Sequence, residues 1–264
     1  MDLNLSGRTA LVSGSTAGIG YATAEALAAL GARVIVNGRT QERVDAAIAR
    51  LARSQPEAKT ESAAFDLSQA GGVAEIVAAY PHVDILVNNV GVFAPVPFEE
   101  IDDAEWLRFF ETNVMSGVRL SRAYLPGMRR ENWGRIVFVS SESGVNIPAE
   151  MVHYGTTKAA QIAVARGIAE SVAGTGITVN SVLPGPTRSE GVAVFVSDLA
   201  RSRGIDDTTM EREFFETVRP SALIKRFATV EEVANMIAYL CTPAASATTG
   251  SAVRVDGGVV RSIL

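Results

Sequence analysis

Short apolar, β-branched runs alternate with longer amphipathic stretches from one end of this 264-residue chain to the other. The runs at 9–13, 33–37, 62–66, 84–88, 135–140, 178–183 and 252–255 are apolar on both faces, as strands covered on both sides must be. Between them, 18–30, 41–53, 68–80, 103–130, 154–173 and 230–241 carry helical spacing. Thr40 and Ser68 stand as start signals before the second and third of these, and Thr229 with Glu232 forms a capping box before the last. Such an alternation implies an α/β fold: a doubly wound parallel sheet of seven strands with helices on both faces. No Pro/Gly/Ser linker, tandem repeat or low-complexity tract divides the chain, so a single domain over 1–264 is expected. Residues 185–222 break the regularity. A long mixed excursion there reads as a substrate lid at about 186–222, or as a surface helical insertion.

Composition excludes several classes. The chain is 47% hydrophobic, which is enough for a full core. Its 24 basic and 29 acidic side chains leave a net charge of −5, which argues against nucleic acid as a partner. No run of about 18 apolar residues is present, so no membrane span is expected. The start, MDLNLSGRTALVSG, lacks the basic and apolar regions of a secretory signal. Cys241 is the only cysteine, which suits a reducing compartment, and a cytoplasmic location is expected. With only His82 and His153, a histidine-rich metal site is not expected.

Three motifs carry chemistry. After the first strand, SGSTAGIG places Gly14, Gly18 and Gly20 at the opening of a helix, where backbone N–H groups can meet a pyrophosphate. The second strand ends VIVNGRT, with Gly38 where a ribose-binding carboxylate would stand in an NAD site, followed by Arg39. A guanidinium there favours the 2′-phosphate of NADP(H). Tyr154 and Lys158 are spaced i, i+4 and share a helix face, where the cation would lower the tyrosine pKa. Thirteen residues before Tyr154, Ser141 follows the strand RIVFVS at the carboxyl edge of the sheet.

With these motifs the chain resembles the short-chain dehydrogenase/reductase family, in its single-domain branch typified by 3-oxoacyl-(acyl-carrier-protein) reductases. The resemblance implies a Rossmann-type fold and a catalytic tetrad of Asn113, Ser141, Tyr154 and Lys158. It implies a cofactor site from Gly14, Ser15, Thr16, Gly18, Ile19 and Gly20, with Asp66 and Leu67 beside adenine. Asn89 and Gly91 of NNVG, Pro184 and Gly185 with Thr187 and Ser189 of the PGxxxT-like segment, and Tyr154 and Lys158 would complete it. The sequence departs from the pattern at Ser13, Val90, Ser189 and Ala17, the last leaving Arg39 as the main determinant for phosphate.

Taken together, the expected activity is NADPH-dependent reduction of a ketone or aldehyde to an alcohol. In this scheme Tyr154 is the proton donor, Ser141 the donor to the carbonyl oxygen, and Lys158 the group acting on Tyr154 and the nicotinamide ribose. Asn113 would hold a water linking Lys158 to solvent. Largely apolar segments at 90–98, 144–151 and 191–196 would line the substrate pocket, while Glu142, Glu150 and Arg188 receive no role. His153 reads as a pocket-wall or packing residue. Two alternatives stay open: an NAD-linked alcohol, polyol or sugar dehydrogenase, and a non-catalytic NADP(H)-binding regulator. The helices at 103–130 and 154–173 resemble faces that build homotetramers, or homodimers, in the family.

Overall fold

The computed structural model describes residues 1–263, less the side chains of Phe195 and Leu199; Leu264, the end of the expected 1–264 unit, lies outside the described residues. Seven strands, β1 (Thr9–Val12), β2 (Arg33–Gly38), β3 (Lys59–Ala64), β4 (Ile85–Asn88), β5 (Gly134–Val139), β6 (Ile177–Pro184) and β7 (Ala252–Val255), form one sheet. Every pairing is parallel and the order is β3-β2-β1-β4-β5-β6-β7. The chain winds outward from β1 to β3, returns to the centre at β4, and winds outward the other way. The β1/β4 junction is therefore the topological switch point, where crossovers diverge and leave a crevice at the carboxyl edge.

Alternate residues of each strand feed two separate cores. Val34, Val36, Ile85, Val87 and Val137 face α1 (Gly18–Ala29), α2 (Gln41–Ser54) and α9 (Val230–Cys241). Ile35, Leu86, Ile136 and Phe138 face α3 (Ala70–Ala79), α5 (Ser116–Glu131) and α6 (Val152–Ser171). Both faces are dry, which is why the strands read as continuous apolar runs; each such buried side chain stabilises the fold by roughly 1.5–3 kcal/mol.

The region expected as one helix over 103–130 is interrupted. It comprises α4 (Asp103–Phe110), a π turn at Glu111–Met115, and α5. The wide turn buries Thr112, Asn113 and Val114. Thr40 caps α2 and Thr229 with Glu232 makes the reciprocal capping box of α9. Ser68 does not cap α3: its N–H and hydroxyl both donate to Asp66 Oδ1, and α3 starts two residues later without a side-chain cap. The third strand also lies earlier than its expected place at 62–66, leaving Asp66 in the turn that follows it.

The 185–222 excursion holds α7 (Glu190–Arg203), α8 (Asp207–Glu213) and a π turn at Phe214–Val218. It carries a small core of its own, with Val196, Ala200, Met210 and Phe215 packed on Phe227 and Val259. Its base is tied by Arg188 N–H to Ala228 O and Ala228 N–H to Pro186 O.

Beneath the first βα turn lies Asn37, 1% exposed. Its Oδ1 accepts from the Gly14 N–H at 3.0 Å, and its Nδ2 donates to the Ala63 and Phe65 carbonyls at 2.9 and 3.0 Å. One amide thus joins the glycine loop, β2 and the end of β3. Asn37→Ala strands three backbone groups and is expected to lower unfolding stability by about 3 kcal/mol. Urea denaturation measures this, and a loss under about 1 kcal/mol would contradict the bonding described.

Candidate active site

Four loops at the carboxyl edge meet around one cavity of about 940 Å³, a volume typical of small-molecule sites. Ser13, at the end of β1, accepts from the Asn89 and Val90 N–H groups at 2.8 and 3.1 Å. Asn89 returns its side-chain amide to the Ser13 and Gly14 carbonyls. These bonds fasten the loop after β1 to the loop after β4. Packing there is so close that a Cβ on Gly20 would fall 2.3 Å from the Gly14 oxygen, so only glycine fits. No side chain caps α1 at Ala17, and Gly18, Ile19 and Gly20 line the cavity, leaving first-turn N–H groups for an anionic ligand.

Other expected cofactor residues take clear places. Asn89, Gly91, Pro184, Gly185, Thr187 and Ser189 line the same cavity. Gly185 is pressed on the chain after β7, where a Cβ would meet Asp256 O at 2.5 Å. Ser15 is buried, donating to Val12 O and accepting from Asn37 N–H, so it braces the loop from within. Thr16 lies beside Gly38, whose Cβ would come 2.6 Å from the Thr16 methyl. Arg39 follows, exposed at the end of β2. Leu67 departs from expectation: its side chain is buried in the core beneath α3 and offers only backbone to a ligand.

Ser141, Tyr154 and Lys158 converge on the cavity. Ser140 Oγ donates to the Lys158 carbonyl at 2.7 Å, bolting the end of β5 to α6. Gly144 lets the following turn press on α6, since a Cβ there would meet the Lys158 carbonyl carbon at 2.9 Å. Lys158 Nζ donates to Val139 O at 2.9 Å and Gln161 Oε1 at 3.1 Å, and lies 5.6 Å from the Tyr154 ring centroid. Asn113 does not line the cavity. It is fully buried behind it, accepting from Val92 N–H and donating to Val92 O and Thr157 Oγ1.

Ionisation here differs from the expectation that Lys158 lowers the Tyr154 pKa. Burial pushes the Tyr154 hydroxyl up to about 12; a hydrogen bond with Ser141 opposes this, and the Glu142 carboxylate adds to it. Burial also pulls Lys158 down to about 7. The physical reason is that desolvation acts on both groups, while the ammonium is drawn toward Val139 and Gln161 rather than toward the phenol. Burial thus favours the neutral phenol of Tyr154. Gln161 Nε2 donates to the Asn113 carbonyl at 2.5 Å, tying α6 to the π turn.

Two polar residues enter the cavity wall unannounced by the motifs. Glu142, directly after Ser141, pairs with Arg219 Nε at 3.1 Å, and Arg219 also reaches Glu150 at 3.8 Å. Burial raises the Glu142 carboxyl, with Arg219 as the main opposing influence. Arg219 lies where the lid returns to the body, which no local pattern could reveal. Arg188 instead pairs with Glu211 within the lid. His153 is fully buried with its ring centroid 3.9 Å from that of Phe109, so it is a packing residue and not a pocket wall. The segments 90–98, 144–151 and 191–196 each contribute to the cavity, through Phe93, Met151 and Val196 among others. Phe98, Val145 and Ile147 face outward instead, and the side chain of Phe195 lies outside the described residues.

The family model described as short chain dehydrogenase matches residues 8–199. The chain belongs to the short-chain dehydrogenase family. Among its relatives is the uncharacterized oxidoreductase YvaG of Bacillus subtilis (strain 168), 46% identical over 263 residues and covering 100% of both chains. The 3-oxoacyl-(acyl-carrier-protein) reductase of Aquifex aeolicus (strain VF5) is 31% identical over 263 residues, covering 98% of this chain and 100% of that one. A solved structure of L-sorbose reductase from Gluconobacter frateurii, complexed with NADPH and L-sorbose, superposes with a TM-score of 0.93 at 31% identity over 100% of both chains. This short-chain dehydrogenase is thus an oxidoreductase of a family that includes the 3-oxoacyl reductases. No helix among its described residues is long and apolar enough to cross a membrane.

The Glu142–Arg219 pair makes a pH-dependent prediction. Arg219→Met leaves a buried carboxylate without its counter-charge, which raises the carboxyl further in the folded state. A raised carboxyl destabilises the fold above its pKa and not below it, where the group is neutral. Thermal unfolding should show the variant losing more stability at pH 8 than at pH 5; an equal loss at both would contradict the pairing.

Proposed function

We propose that this chain is an NADPH-dependent carbonyl reductase that converts a ketone or aldehyde to an alcohol. The observation that carries the reading is the convergence of Ser141, Tyr154 and Lys158 on the cavity that the glycine loop and the α1 N-terminus also line. A nicotinamide dinucleotide fits the residues present: backbone at Gly14–Gly20 stripped of Cβ atoms, uncapped N–H groups, and Asn89, Gly91, Pro184, Gly185, Thr187 and Ser189 further along. These would hold it, with Asp66 and the Leu67 backbone near the base. Arg39, beyond a β2 that ends without a carboxylate, supports NADP(H), as does the NADPH in the sorbose reductase neighbour. Bound in this site, the cofactor supplies the hydride.

The chain's own groups do the rest. Tyr154, held protonated by burial, donates its proton to the oxygen of the reduced carbonyl. Ser141, next to it, hydrogen-bonds that oxygen as negative charge develops. Lys158 offers its remaining N–H to the cofactor ribose and places a positive charge beneath the phenol as the proton leaves. Asn113 keeps α6 and the loop after β4 in register. The lid formed by α7 and α8 closes the substrate side, with apolar surface at Phe93, Met151 and Val196. The Glu142–Arg219–Glu150 wall favours a second reading of the substrate, a hydroxylated ketone or sugar handled with the same machinery.

Assembly as a homotetramer, or homodimer, through α5 and α6 is part of the same proposal, supported by Leu107 and Phe110 exposed on the neighbouring α4. A small-molecule partner and a cytoplasmic location complete it.

Loss of reduced-nicotinamide absorbance tests the reading, with NADPH and NADH tried separately against β-ketoacyl thioesters, β-ketoesters, quinones, keto-sugars and aldehydes. Turnover with NADPH is expected, abolished in Tyr154→Phe with cofactor affinity nearly unchanged. Arg39→Asp should reverse the cofactor preference. A Tyr154→Phe enzyme at near-normal rate would remove the proposed acid, and a wild-type preference for NADH would overturn the cofactor assignment. Sedimentation of the same preparation reads the assembly, and a monomer would refute that part.

A further inference from the structure

The lid returns to the body at Arg219, the residue that ends the π turn Phe214–Val218. Its side chain is 13% exposed and lines the reaction cavity. Two of its three nitrogens are engaged by the protein. Nε donates to Glu142 Oε1 at 3.1 Å, and Nη1 donates to the Val218 carbonyl at 3.1 Å with Glu150 Oε1 3.8 Å away. Among the described residues, Nη2 donates to nothing. The anchor, Glu142, is a buried carboxylate that follows Ser141 directly and is close enough to Tyr154 to act on its hydroxyl. A guanidinium is planar and rigid, so fixing Nε and Nη1 also fixes the direction of Nη2. The fold thus presents one charged donor beside the reacting groups, carried by a residue 77 positions beyond its anchor.

We propose that Arg219 determines specificity by donating from Nη2 to a second, uncharged oxygen of the carbonyl substrate. The inference rests on the proposed reading of Ser141, Tyr154 and Lys158 as the reacting groups. The charge of the wall selects the kind of oxygen. Glu142 and Glu150 set two carboxylates against one guanidinium, and Asp256 is near enough to act on Glu142. Two other cations line the cavity, and both are already engaged: Arg203 pairs with Glu213, and Lys158 is held by Val139 O and Gln161 Oε1. A substrate carboxylate at Nη2 would meet net negative charge, whereas a hydroxyl or an ester carbonyl would accept the bond without that repulsion. The substrate class is therefore a ketone with a neutral oxygen a short way along its chain, a hydroxyketone or a ketoester, and not a keto acid. Met151, Val196 and Phe214 elsewhere in the cavity suit its carbon skeleton.

Four ketones on one carbon skeleton separate the cases: 4-hydroxy-2-butanone, ethyl acetoacetate, acetoacetate and 2-butanone. In the wild-type enzyme the hydroxyl or the ester compound should exceed 2-butanone by at least about tenfold in kcat/KM, with acetoacetate below both oxygenated compounds. Arg219→Met should bring that ratio close to one, and Arg219→Lys, which keeps the charge but not the fixed fork, should not restore it. Displacement of the lid alone would lower all four rates together and leave the ratio as it was. Glu142→Gln removes one charge at nearly constant volume and should raise acetoacetate relative to ethyl acetoacetate by at least about threefold. That variant carries the test if the Arg219 variants do not fold. Saturation-transfer NMR of the same ketones on the cofactor-loaded enzyme reads the preference without turnover. A binding preference of this kind with no turnover by any form would support the Arg219 contact and refute the carbonyl-reductase reading instead. No preference in either measurement, a preference that survives in Arg219→Met, or a wild-type preference for acetoacetate would overturn the proposal.

Discussion

A single buried amide holds the reactive end of this molecule together. Asn113 accepts from and donates to the Val92 backbone and donates to Thr157, and its carbonyl receives Gln161. It thereby joins the loop after β4, the π turn and α6, three segments that are far apart in the chain. The Asn113 side chain is fully buried, so removing one of its partners would leave a buried polar group unsatisfied. The π turn is what allows the geometry: it widens the helix by one residue and carries Asn113 inward at the height of the sheet edge. Tyr154 and Lys158 stand on the helix that this network positions.

The same dryness sets the chemistry. Burial raises the Tyr154 hydroxyl to about 12 and lowers Lys158 to about 7, favouring the neutral form of both groups. Two titratable groups shifted in opposite directions, a few ångströms apart in a cavity, are the pattern that marks candidate functional sites. Lys158 Nζ is held by Val139 O and Gln161 Oε1, and Ser141 bonds the phenol. The glycines have a matching role at the other end of the cavity, where Gly20 lets α1 approach the loop closely enough to offer bare N–H groups.

Much of this was legible in the sequence because strand and helix periodicities differ and β-branched runs have few alternatives. Strand count, parallel sense and the placement of Gly14, Ser141, Tyr154 and Lys158 at the carboxyl edge all follow from that alternation. What escaped depends on distance or on single-residue shifts. The π turn at 111–115 has the same apolar spacing as an α-helix on either side, and one extra residue per turn leaves no mark on a short window. Asn37, Gln161 and Arg219 act through partners 23, 48 and 77 positions away, so no local pattern announces them. Ser68 has the identity of a cap but spends its donors on Asp66. The tyrosine shift ran opposite to expectation because i, i+4 spacing reports proximity and says nothing of solvent.

The account turns on Asn113, and amide hydrogen exchange at Val92 tests it most directly. In the wild-type protein the Val92 N–H is bonded to Asn113 Oδ1 at 2.8 Å, within a loop that has no strand or helix to protect it. Slow exchange there is predicted, with acceleration of at least about tenfold in Asn113→Ala together with the first turns of α6. Fast exchange in the wild type, or an unchanged rate in the variant, would show that the loop and helix are held by something other than this amide.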